Sequence, residues 1–268
     1  MLDTQDIYVC GHRKSGTSLL INLLDSHSQL AVCPFDLTIF YGYFPDEDRF
    51  RSDEKIARLQ KVIFDNWINH MSATKYFDVA RMESDFFELC QQKYDIKTVF
   101  HALINSFQNV TDQADRKYRV SKETSLEMHA IKVNEITPNC KFIHVVRNPL
   151  DNFASLLSGL DGYYSNFEDS YLSLLHSLID RVGLGLRCGL ENMAYFGSDR
   201  YLFVRYEDIV LDTKNSLSNI SNFIGVKFDE ITLKPSIIGF ETPGNSFVNR
   251  QQYEVSRGRI GTYKKLLD

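Results

Sequence analysis

The chain has 268 residues, 43% of them hydrophobic and 24% charged, with a formal net charge of -5 at pH 7. Such a composition excludes disordered and fibrous classes, and the length is enough to bury a full core. The negative balance provides no bulk field to draw nucleic acid or an anionic membrane, so any anion site must be a local concentration of basic groups.

The apolar run DIYVCG (6–11) ends in glycine, and Leu19, Leu20, Leu23 and Leu24 then recur at helical spacing, which predicts strand, loop and helix. QLAVCPF (29–35) reads as a second strand, stopped by Pro34. From Pro45 to Val110 the pattern changes to charged, aromatic-rich helical stretches such as DEKIARLQKVIFDNWI (53–68) and VFHALINSF (99–107), a block of helical cover reaching to about residue 115. KYRVSKE (117–123) is a predicted strand and LEMHAIKVNEI (126–136) a helix. CKFIHVVRNP (140–149) is a buried strand whose proline opens the next helix. A further strand, RYLFVRYEDI (200–209), precedes the helix TKNSLSNISNFIGV (213–226), which closes at Gly225. The alternation predicts a single α/β domain over 1–268, with a mainly parallel sheet flanked by helices and ligands gathered beyond the carboxyl ends of the strands.

Five scattered cysteines, Cys10, Cys33, Cys90, Cys140 and Cys188, show neither a C-x-x-C pair nor a zinc-like His spacing and read as reduced thiols. The N-terminus has an acidic flank and too short an apolar run for a signal peptide. No stretch approaches the roughly 18 apolar residues of a membrane span. The expectation is a soluble, cytoplasmic protein.

GHRKSGTS (11–18) lies one substitution from a phosphate-binding P-loop: Gly11 and Gly16 keep the spacing and Ser18 the hydroxyl, but Thr17 stands where the loop lysine belongs. Lys14 offers an amine three residues early. A glycine-containing strand-to-helix turn can be only a turn, yet here cations and hydroxyls crowd a helix start, which is costly without an anion. In an ATPase a carboxylate ending a neighbouring strand helps to hold magnesium, whereas KFIHVV ends in Arg147, so the expectation is neutralisation by protein cations and no metal. Asp208 is the feature that best supports the alternative, a P-loop kinase or NTPase with an atypical loop.

RKSGTSLL (13–20) resembles the 5'-phosphosulfate loop of the sulfotransferase family, which moves a sulfuryl group from 3'-phosphoadenosine 5'-phosphosulfate (PAPS) to an acceptor hydroxyl or amine. VVRNPLDNFASLL (145–157) resembles the family's 3'-phosphate element, VRYEDIVLDTKNSLSNISNFIGV (204–226) its Tyr-Glu-Asp segment, and SRGRIGTYKKLL (256–267) its C-terminal R-K-G-x-x-G-x-W stretch. The look is nearer to bacterial, carbohydrate and tyrosyl-protein types than to the cytosolic drug-conjugating enzymes. Ser256, Tyr263 and Leu19 depart from the pattern.

The resemblance implies that Arg13, Lys14, Ser15, Gly16, Thr17 and Ser18 hold the donor's phosphosulfate, that Arg147 and Ser155 bind the 3'-phosphate, that Arg257 and Gly258 close over it, and that Tyr206 sits near the adenine. It implies in-line displacement with Lys14 at the bridging oxygen, Arg13 being the competitor for that post, and adenosine 3',5'-bisphosphate as product. A neutral hydroxyl acceptor needs a base. PFDLTIF (34–40) occupies the place of a glutamate-bearing segment in carbohydrate-type members, which nominates Asp36; Glu123, at the end of a candidate strand, is second. Lys122 stands where some members direct a lysine at the sulfonate. His12 is expected to pack beside the strand and His27 to end the helix. The acceptor is a small molecule, a sugar or a peptide, and Tyr41, Tyr43, Phe44, Trp67 and Tyr76 either line its pocket or belong to the core.

Overall fold

Parallel strands buried on both faces read as unbroken apolar runs, and in the computed structural model those runs form the centre of the molecule. The structure describes residues 4–42, 52–65, 68–70, 72–159, 170–243 and 254–265. In chain order come β1 (Gln5–Cys10), α1 (Thr17–Leu24), β2 (Leu30–Asp36), α2 (Ile39–Gly42), α3 (Ser52–Leu59), α4 (Val79–Cys90), α5 (Ile96–Val110), β3 (Tyr118–Lys122), α6 (Ala130–Ile136), β4 (Lys141–Val146), α7 (Pro149–Leu157), α8 (Tyr171–Phe196), β5 (Tyr201–Arg205), α9 (Tyr206–Leu211) and α10 (Thr213–Ile224). A small hairpin, β6 (Ser236–Ile237) with β7 (Phe240–Glu241), hangs on the Asp25 carboxylate, which accepts from the Ser236 hydroxyl and the Ile238 and Gly239 N–H groups.

The main sheet has the order β2-β3-β1-β4-β5, and every pairing in it is parallel. Alternation along the strands divides the core. Tyr8, Cys10 and Phe142 face a layer filled by Phe86, Phe100 and Phe107 of α4 and α5. Ile7, Val9, Ile143 and Val145 face Leu20 and Leu24 of α1 and Leu217, Ile220 and Ile224 of α10. The chain leaves β1 towards β2 and leaves β4 towards β5, in opposite directions. Crossovers that part in this way open a crevice at the carboxyl ends of the two strands, so the loop 11–16 comes to lie beside Arg147.

Several expectations are corrected. β2 runs through Pro34 to Asp36 instead of stopping there, because β2 is an edge strand and its pairing slips between Val32 and Asp36, where an N–H is not needed. The strand expected over 200–209 ends at Arg205, and Tyr206, Glu207 and Asp208 form the first turn of α9, where acidic side chains suit the helix dipole. The helix expected over 126–136 starts as a 3-10 turn, Leu126–His129, and the one over 53–68 gives way to a π turn, Gln60–Asp65. α8, 26 residues long, went unpredicted: outward Leu172, Ile179 and Leu190 blur its apolar stripe, and its glycines argue against a helix. Two of those glycines are packing sites. A Cβ on Gly185 would stand 2.6 Å from Glu127 Oε1, and one on Gly189 2.6 Å from His144 Nδ1.

Within the block 45–115, α3, α4 and α5 are helical, while Tyr43, Phe44 and Trp67 lie outside the described residues, as does the side chain of Tyr41. Tyr76 stacks on Phe240, centroids 4.2 Å apart, and Phe40 is core. None of the five cysteines is in a disulfide, and four are buried. Among the described residues no helix is long and apolar enough to cross a membrane.

Candidate active site

The turn from β1 into α1 is shaped by two close approaches. A Cβ on Gly11 would meet the Val145 carbonyl at 2.3 Å, and one on Gly16, whose φ is +110°, would meet the Tyr206 ring at 2.5 Å. Lys14 also takes a left-handed backbone, φ 65°. The Ser15 N–H closes the turn on the His12 carbonyl at 3.0 Å, while the Ser15 hydroxyl is buried and has no hydrogen-bond partner among the described residues. Thr17 is buried and Ser18 exposed at the opening of α1, where N–H groups lack intrahelical acceptors.

Around this turn the structure gathers cations. Arg147, leaving β4, donates from Nη1 to the Lys14 carbonyl at 2.9 Å and from Nη2 to the Arg259 carbonyl at 2.8 Å. Its guanidinium lies 4.3 Å from the centroid of the buried Tyr206 ring, a cation–π stack that holds the fork flat. Tyr206 is therefore covered by Arg147 and Gly16. Arg13 reaches α8, donating to the Ser177 hydroxyl at 3.2 Å. The Lys14 ammonium is pushed down to about 8, first by burial and then by the charges of Arg259, Arg13 and Arg147. Burial also lowers Arg147. In a chain of net charge -5, such a cluster is the local cationic site that composition demanded, and an anion between these groups would relieve both repulsion and desolvation.

The C-terminal segment lies beside this cluster. The Arg257 guanidinium donates to the Leu211 carbonyl at 3.1 Å, and the Gly258 N–H is satisfied by the Ser256 hydroxyl at 3.2 Å. The arginine of this segment whose charge reaches Lys14 is Arg259, overlooked although it stood within the quoted stretch. Ser155 is half-buried on α7, on the same strand-to-helix unit as Arg147.

At the far end of the crevice β2 and β3 finish side by side. Asp36 forms an ion pair with Lys122 and also accepts from the Thr124 N–H at 2.9 Å and hydroxyl at 3.2 Å. Glu123 is 2% exposed, and its Oε1 accepts from the Phe40 N–H at 3.1 Å. The structure thus brings Asp36, Lys122 and Glu123 together as a unit that joins the strand ends, with both carboxylates already engaged. His12 packs against Asn152, as expected of a structural histidine, and burial followed by the Arg13 charge lowers it to about 4. His27, expected to end the helix, lies three residues beyond the last residue of α1, Leu24; it is buried, with Nε2 2.9 Å from the Lys227 carbonyl.

Behind the loop lies a cavity of about 70 Å³, lined among others by His12, Ser15, Glu127, His144, Arg147 and Arg181. Burial raises Glu127 to about 7, and burial lowers His144 to about 4. His144 Nδ1 meets the Tyr201 hydroxyl at 2.9 Å, and its Nε2 stands 4.0 Å from Glu127 Oε1. No sequence signal marked this pair, since Glu127 sat inside a predicted helix and His144 inside a strand.

Comparison with known proteins identifies the fold and the family. The sulfotransferase domain of the Synechococcus PCC 7002 olefin synthase matches with a TM-score of 0.62 and 21% identity, over 98% of this chain and 89% of that one. The sulfotransferase domain from the curacin biosynthetic pathway matches with a TM-score of 0.59 and 18% identity, over 87% and 77%. Cytosolic sulfotransferase 14 of Arabidopsis thaliana is 24% identical over 208 residues, 71% of this chain; the match spans only 59% of that relative's length. The kinase alternative finds no support among these matches. A family model described as "Sulfotransferase family" matches residues 6–230, from β1 through the cation-bearing turn and Arg147 to beyond α10, and the protein belongs to that family.

Proposed function

We propose that the protein transfers a sulfuryl group from PAPS to an acceptor hydroxyl or amine by in-line displacement. The observation that carries this reading is the Lys14 ammonium held among Arg13, Arg147 and Arg259 at the start of α1. The residues fit such a donor. Its phosphosulfate has the charge to match the Lys14 cluster, and the Ser15 hydroxyl and the N–H groups of Gly16, Thr17 and Ser18 supply neutral donors. Arg147 and Ser155 take the 3'-phosphate, with Arg257 and Gly258 beside them and Tyr206 supporting Arg147 from below.

When bound, PAPS supplies a sulfuryl group whose bond to the phosphate oxygen breaks as the acceptor oxygen approaches. Lys14 places a positive charge, and a proton, where negative charge grows on the departing phosphate; preplaced charge of this kind stabilises a transition state by about 3–4 kcal/mol. Asp36, or failing it Glu123, takes the acceptor's proton, and Lys122 is directed at the sulfonate. Small molecules, sugars and peptides are the acceptor classes to test. The reduced thiols agree with a cytoplasmic setting.

The test compares thermal stabilisation by adenosine 3',5'-bisphosphate with that by ATP plus magnesium, followed by transfer of labelled sulfate to sugars, phenols and peptides. Bisphosphate at 100 times its Kd should add about 2.7 kcal/mol. A shift by ATP plus magnesium alone refutes the reading. Asp36→Asn and Glu123→Gln, assayed at saturating donor, identify the base as the group whose loss removes turnover while bisphosphate still binds.

A further inference from the structure

The C-terminal segment that carries Arg259 owes little to the core. None of the residues in its two 3-10 turns, Arg257–Arg259 and Thr262–Lys265, is buried. Its apolar contacts are the partial packing of Val255 and Ile260. Among the described residues what holds it is mostly polar: besides the Arg257 bond to the Leu211 carbonyl, the contacts come from α7 and the residue that leads into it. Asp151, in the first turn of α7 and 2% exposed, accepts from the Gly261 N–H through Oδ2 at 2.7 Å, and through Oδ1 from the Thr262 hydroxyl and the Tyr263 N–H, each at 3.2 Å. Four residues earlier Arg147 donates to the Arg259 carbonyl at 2.8 Å.

A buried carboxylate is stable only when its lone pairs are met, and hydrogen bonds to an ionised acceptor are about twice as strong as neutral ones. Asp151 makes its side-chain hydrogen bonds with the C-terminal segment, sits at the positive end of α7, and its charge also reaches Arg147. The segment in turn brings Arg259 against Lys14 and Arg147, which repel it. Docking is therefore opposed by like charge and secured by the Asp151 hydrogen bonds.

We propose that Asp151 is a positioning residue: it fastens residues 261–263 to α7 so that Arg259 completes the cationic site, and thereby sets donor affinity. An anion in that site screens the repulsion, so donor binding and segment docking favour each other reciprocally. The donor half of this statement rests on the sulfotransferase reading. The anchor half does not.

The test uses the full chain. In Asp151→Asn, amide hydrogen exchange at Gly261 and Tyr263 without nucleotide should speed up about tenfold or more, as expected for loss of hydrogen bonds to a charged group. The Kd for adenosine 3',5'-bisphosphate and the KM for PAPS should rise by about as much, while kcat at saturating donor stays within about threefold. Thr262→Val should move the same quantities part of the way and Thr262→Ser should restore them, a graded pair that decides the matter if Asp151→Asn does not fold. In the wild type the bisphosphate should slow exchange at the same two amides. Unchanged exchange in both Asp151→Asn and Thr262→Val overturns the anchor. Faster exchange with unchanged bisphosphate affinity, or a fall in kcat alone, overturns the positioning role. A wild type that binds no bisphosphate sinks the sulfotransferase reading and the role of Arg259, while the exchange data still decide the anchor.

Discussion

Lys14→Met separates what the ammonium does for chemistry from what it does to the fold. Burial and three neighbouring arginines lower Lys14 from 10.5 to about 8, a difference worth about 3 kcal/mol against the charged form. Solvent at the half-open turn reduces that to about 1–2 kcal/mol. Methionine keeps an unbranched stem of similar length and leaves the left-handed backbone unaltered, so the nucleotide-free variant should be more stable than the wild type at pH 7 by that amount. For a chain of this size the melting temperature rises by about 2–6 °C. The folded protein holds this proton less tightly than the unfolded chain does. The wild-type penalty is therefore full below pH about 8, shrinks above it, and is gone past about 10.5. Melting curves of both proteins at pH 7 and pH 10 read the gap directly, because all other titrations are shared. With saturating adenosine 3',5'-bisphosphate the order at pH 7 should reverse, and PAPS turnover should be lost. A variant less stable than the wild type at pH 7, or a gap that does not narrow by pH 10, would refute the crowding of cations at this turn.

Three further outcomes test other parts of the site. Arg147→Lys keeps the charge but not the fork that joins the Lys14 and Arg259 carbonyls, so bisphosphate affinity by calorimetry should fall by about 10- to 100-fold; an unchanged Kd would count against it. Gly16→Ala forces a Cβ against the buried Tyr206 ring at a φ of +110°, and its urea midpoint should report a loss of about 2–3 kcal/mol. Glu127→Gln bears on pH dependence. Its folded value, raised to about 7, means that the wild type loses stability as pH rises from about 4.5 to 7, against the opposite trend from neutral, buried His144. The variant should match the wild type at pH 4.5 and exceed it at pH 8, which denaturation at the two pH values checks.

Much of the framework was local and hence legible. Ile7–Cys10 and Phe142–Val145 are apolar without interruption because both faces of a central parallel strand are buried. Gly11, Lys14 and Gly16 declare an anion-seeking turn, and the Arg147-Asn148-Pro149 step declares where a strand becomes a helix. Each of these depends on residues only a few positions apart.

The amino-acid sequence by itself determined the alternation of strands and helices, the phosphate-type turn and the cation that ends β4, since backbone periodicity and turn chemistry act over a few residues. Only the tertiary structure decided which charges meet. It set Arg259 against Lys14, docked residues 261–263 on Asp151, engaged Asp36 with Lys122, carried β2 past Pro34 at a sheet edge, and buried Glu127 beside His144 under the glycines of α8. Those pairings join residues far apart in the chain, and strand order and helix docking, not local pattern, bring them within reach of one another.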